Sequence, residues 1–105
     1  MTTIKYTPAS FEIEGHTGAG MAGNNLVCAA VSFLATTCAN ALQSVAKVER
    51  TAVVRDAYMF IQVKERNMNA EALTIFKTFL QGVKDLQESY PEHIKLILKN
   101  EGETK

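Results

Sequence analysis

The chain has few of the residues that staple or metallate a small protein. Of its 105 residues only Cys28 and Cys38 are cysteine, and only His16 and His93 are histidine. No C-x-x-C or H-x-x-x-H pair occurs, so the ligand spacing of a zinc site is missing and no metal or other cofactor is expected. If both thiols stand on one helix, ten residues hold them about 15 Å apart along its axis. A disulfide needs Cα atoms within about 7 Å, so an internal bridge is excluded and free thiols fit a reducing compartment. An excess of either charge is also missing: 11 basic residues balance 11 acidic ones. No global field then steers the protein toward nucleic acid or an anionic bilayer. Residues 1–7 contain no apolar signal core. The longest apolar-looking run, 26–46, is interrupted by Ser32, Thr36, Thr37, Asn40, Gln43 and Ser44, which reads as too polar for a membrane span. Neither a nucleic-acid partner nor a membrane is expected, and the predicted location is cytoplasmic. There is no internal repeat and no low-complexity linker.

What is present fits one domain over residues 1–105, with enough apolar residues for a core that folds without staples. Residues 4–7 and 10–14 read as short strands around the Thr7-Pro8-Ala9-Ser10 turn. In the second, Phe11 and Ile13 alternate with Glu12 and Glu14, the pattern of a half-buried strand. A helix is predicted to start at Asn24 or Asn25, both good caps, and to run to about Lys47. Its abundant alanines would let neighbours approach closely. Residues 51–56 and 58–64 read as a hairpin around Asp56-Ala57. Asn67 or Asn69 should cap a second helix with Glu71 in its first turn. Pro91 should stop that helix, and Ile94, Leu96 and Leu98 should line one face of a last strand. The predicted fold is α+β: a single sheet of about five strands with two helices packed on it, in the order strand-strand-helix-strand-strand-helix-strand.

Chemistry concentrates in one stretch. Gly15-His16 follows a strand, glycines recur at 18, 20 and 23, and Leu26-Val27-Cys28-Ala29-Ala30-Val31-Ser32 opens the long helix. No G-K-[ST] follows, so the glycines do not form a phosphate loop. A thiol needs help to ionise. On this reading Cys28 is the third residue after an Asn25 cap, where the helix dipole and an adjacent imidazolium would both favour the anion. The N–H groups of residues 26–28 would face a developing oxyanion. Ser32, one turn on, shares the face of Cys28. The residues alone leave two readings open. Cys28 is either this nucleophile, with His16 as its base, or a small buried hydrophobe in an alanine-rich helix.

The Gly15-His16 pair, the glycine-rich loop and the Val27-Cys28-Ala29-Ala30-Val31-Ser32 run resemble the bacterial ribosomal-processing cysteine protease family, Prp. Similarity extends to Phe79, Gly82 and Tyr90-Pro91-Glu92-His93-Ile94. The resemblance implies a small cytosolic homodimer of α+β fold. Its expected activity is removal of a short N-terminal extension from a large-subunit ribosomal protein or, in phage, from a capsid or scaffold protein. It also implies Cys28 as nucleophile and His16 as base, with Gly15, Asn25 and Ser32 in support. In one respect the chain departs from the family pattern: Asn25 stands where an aspartate is usual. It can still cap a helix but carries no charge. A non-catalytic Prp-like module that binds a peptide or ribosomal protein is therefore the alternative.

Overall fold

The computed structural model describes residues 1–15 and 22–99. Strands β1 (Thr2–Thr7) and β2 (Ser10–Glu14) are followed by helix α1 (Ala22–Ser44), strands β3 (Thr51–Arg55) and β4 (Tyr58–Gln62), helix α2 (Ala70–Ser89) and strand β5 (Ile94–Leu98). The predicted α+β order is the observed one. A short 3-10 turn at Glu65–Asn67, absent from the sequence reading, precedes α2.

The five strands form one mixed sheet in the order β3-β4-β2-β1-β5. β1 pairs antiparallel with β2 and parallel with β5, while β4 joins β2 and β3 in antiparallel pairs. β1 begins two residues earlier than expected because Thr2 pairs with Ile94 at the sheet end. Register aligns Ile4 with Ile13 and Leu96, and Ile13 with Met59. This row and the Tyr6–Phe11–Ile61 row point one way, and both helices lie on that face. Val27, Val31, Ala35, Cys38, Ala39 and Leu42 of α1 and Ala72, Phe76, Phe79 and Val83 of α2 close a single apolar cluster over it. Phe11 stacks on Phe79 with ring centroids 3.8 Å apart. Burial of one such ring stabilises the fold by roughly 1.5–3 kcal/mol.

The two helices meet where Gly82 faces Leu34. A Cβ at position 82 would stand 2.7 Å from Leu34 Cδ2, so glycine there serves close helix approach. α2 starts as predicted at an Asn69 cap, whose side chain accepts from the Ala72 N–H at 2.8 Å. The same side chain donates to the Ala46 carbonyl at 2.9 Å, tying α2 to the end of α1. α1 stops at Ser44, short of the predicted Lys47: Lys47 takes a left-handed φ of 60° and Val48 N–H turns back to the Leu42 carbonyl. At the other end α1 starts before Asn25. α1 is also long and apolar enough to cross a bilayer by length and composition, contrary to the expectation that it is too polar. Its polar residues are uncharged and cost little hydropathy. The stripe it buries against the sheet is what a core helix needs.

Candidate active site

Two of the predicted site residues, Gly15 and Cys28, lie at the end of the sheet where β1 begins. Thr3 pairs with Glu14, so Thr2 and Gly15 are the next positions outward on adjacent strands. Cys28, on α1, comes down beside them, with its Sγ 3.9 Å from Thr2 Oγ1. Gly15 is fixed in two ways. Its N–H donates to the Ala57 carbonyl at 3.2 Å. It also adopts φ 80° with the Met1 carbonyl so close that a Cβ would lie 2.9 Å from it. Only glycine takes both the left-handed conformation and the contact without strain. His16 lies outside the described residues, as does the side chain of Asn25.

Cys28 and Cys38 are both free thiols on α1. Cys28 is 9 % exposed but is not a member of the contiguous apolar cluster, whereas Cys38 is enclosed by it. Burial pushes the Cys38 thiol above its ordinary value. The position of Cys28 corrects one expectation. With α1 starting at Ala22, Cys28 is the seventh helical residue rather than the third after an Asn25 cap. In a helix of these bounds the N–H groups of Leu26, Val27 and Cys28 bond to the carbonyls of Ala22, Gly23 and Asn24, so they are not free oxyanion donors. The unpaired N–H groups belong to the turn before them. The dipole also acts mainly within the first turn, so its pull on Cys28 is weaker than the sequence reading assumed. No acid stands in the first turn of α1 to oppose a thiolate.

Ser32 sits one turn after Cys28, half-buried, and lines a cavity of about 230 Å³ between α1 and the β3–β4 hairpin. Ile13, Val31, Ala35, Val54 and Met59 make its apolar walls, with Thr36, Arg55 and Tyr58 also lining it. The Tyr58 hydroxyl donates to Glu12 Oε2 at 2.6 Å, and that carboxylate acceptor holds its pKa above the usual phenol value. The Arg55 guanidinium lies 4.7 Å from the Tyr58 ring centroid. Sequence reasoning identified Ser32 but not Thr2 or this cavity. Thr2 preceded the predicted strand, and the inward alternation of Ile13 was the only advance signal for the cavity.

Comparison with known proteins identifies the family. Residues 1–95 match the family model described as cysteine protease Prp. The chain belongs to the Prp family. It is accordingly a cysteine protease. Solved structures agree. The ribosomal processing protease Prp of S. aureus, in complex with a substrate peptide, is 25 % identical with a TM-score of 0.86 over 94 % of this chain and 100 % of that one. The same protease with a covalently linked product peptide is 26 % identical, with a TM-score of 0.82 and coverage of 94 % and 100 %. SMU.848 from Streptococcus mutans is 30 % identical with a TM-score of 0.78, covering 95 % of this chain and 93 % of that one. No curated protein matches the chain.

Proposed function

We propose that this Prp family protease removes a short N-terminal extension from a ribosomal protein precursor, with Cys28 as nucleophile and His16 as general base. The observation that carries the reading is the convergence of Cys28 and Gly15 on Thr2. Gly15, which precedes His16 in the sequence, is at the same end of the sheet as the thiol. In the first step His16 takes the Cys28 proton and the thiolate adds to the scissile carbonyl. The imidazolium then returns that proton to the departing amine, leaving a thioester on Cys28. Water, deprotonated by His16, hydrolyses the thioester and regenerates the thiol. The first-turn N–H groups of α1, which have no partner within the helix, are the donors for the oxyanion. The cavity lined by Ile13, Ser32, Val54 and Met59 is sized for an apolar substrate side chain. The substrate class follows the S. aureus relative, a ribosomal processing protease. A phage capsid or scaffold protein is the other substrate with such an extension.

We further infer a homodimer in the cytoplasm. Leu26 and Phe33, seven residues apart and so on one side of α1, are 56 % and 75 % exposed on a helix without a charged residue, and free thiols suit a reducing compartment. The near-complete burial of Cys28 favours one rival reading, a peptide-binding module that keeps the fold without catalysis. Mass spectrometry of a ribosomal precursor incubated with the protein separates the two. Cleavage should fall on the order of 10⁴-fold or more in Cys28→Ala, with the circular dichroism spectrum unchanged. Equal cleavage by wild type and variant would reject Cys28 as nucleophile, and no cleavage by either would support the binding module.

A further inference from the structure

At the opposite end of the sheet from Cys28, two connections converge on a small polar cavity of about 100 Å³. The α1–β3 connection with the start of β3 supplies Glu49, Arg50 and Thr51, and the β4–α2 connection supplies Lys64, Arg66 and Asn67. The side chains lining it carry three positive charges and one negative, a net +2 in a chain whose formal total is zero. Arg50 is already oriented. Its Nε donates to the Ala39 carbonyl at 2.7 Å and its Nη2 to Gln43 Oε1 at 3.2 Å. Those bonds use two of the five guanidinium protons and fix the plane of the rest, so little side-chain entropy remains to be lost on binding. The side chains of Lys64 and Arg66 make no hydrogen bond or ion pair, and the one salt bridge among the described residues is Lys5–Glu12, elsewhere on the sheet. Glu65 stands between them in sequence but lines a neighbouring hollow with Thr7 and Ser10.

Unpaired cations gathered from separate segments around one pre-oriented arginine are the donor set that recognises an oxyanion. The net +2 matches a phosphate dianion better than a carboxylate. We propose that the Arg50–Lys64–Arg66 cavity binds a phosphate group, at a site separate from the peptidase centre. The site does not depend on the substrate reading above.

The test is a titration of the full chain with inorganic phosphate at low ionic strength, followed by backbone amide NMR shifts. Saturable shifts confined to residues 49–51 and 64–67 are expected. A Lys64→Gln/Arg66→Gln double variant should weaken them at least about tenfold, since each lost charge-assisted bond is a large part of so small a contact. Both residues are exposed and unpaired, so the variant should fold. Acetate at equal concentration should leave the shifts unmoved. A parallel titration with adenosine 5′-monophosphate distinguishes free from esterified phosphate, and binding of either supports the site. Absence of localised shifts with both phosphates, equal shifts in the double variant, or acetate reproducing the response would each overturn the proposal.

Discussion

Two sulfurs sit ten residues apart on α1, and both are nearly out of water. Cys38 is surrounded by the contiguous core, and the cost of burying an anion there holds it in the thiol form. Cys28 has a threonine hydroxyl for a neighbour, stands outside that core, and lies on the side of the helix turn from which Ser32 opens onto a cavity. Equal burial therefore does not mean equal chemistry. The second half of α1 is scaffold, clamped by Gly82 at Leu34 and by Asn69 at its end. The first half carries Cys28, the proposed nucleophile, on that scaffold.

The contrast predicts that stability and activity can be cut separately. The largest effect on stability should come from Phe79→Ala, which removes a fully buried ring stacked on Phe11. A loss of about 3–5 kcal/mol is expected in denaturant unfolding, with the cleavage rate per folded molecule little changed below the transition. A proportional fall in that rate would mean that core and site are not separable.

A smaller effect of opposite sign is expected at the β3–β4 turn. Ala57 is held at φ 58°, a left-handed conformation that costs an alanine roughly 1 kcal/mol. Ala57→Gly should raise stability by up to about 1 kcal/mol, read as an upward shift of the thermal midpoint, while keeping the Ala57 carbonyl that receives Gly15 N–H. A lowered midpoint would show that the turn is not strained.

The smallest effect is the pH dependence of Cys38. Its folded thiol keeps its proton to higher pH than the unfolded one. The resulting stabilisation is intact below the ordinary thiol value near pH 8.5 and is lost as pH rises through the raised value. Wild-type stability should thus decline more steeply above about pH 8.5 than that of Cys38→Ala. Parallel curves would remove Cys38 from the account.

Periodicity made the scaffold legible. Alternation in 10–14 and 94–98, the Asn69 cap and the apolar stripe of α2 each specify local structure through contacts within a few residues, so the order of elements could be read directly. Resemblance singled out Cys28 and Gly15, and residue chemistry explains why position 15 needs glycine. Long-range geometry escaped. Nothing local announces that Thr2 pairs in parallel with β5, or that β3 and β4 leave a cavity beside Ser32. The start of α1 was misplaced because two asparagines that make good caps lie inside the helix instead, where packing of α1 on the sheet outweighs a preference worth about 1 kcal/mol.

Selective alkylation tests the central distinction most directly. Native protein treated with iodoacetamide near pH 7, then digested and mapped by mass spectrometry, should carry label on Cys28 while Cys38 stays unmodified until the protein is unfolded. Label on Cys38 first, or on neither thiol before unfolding, would contradict the account.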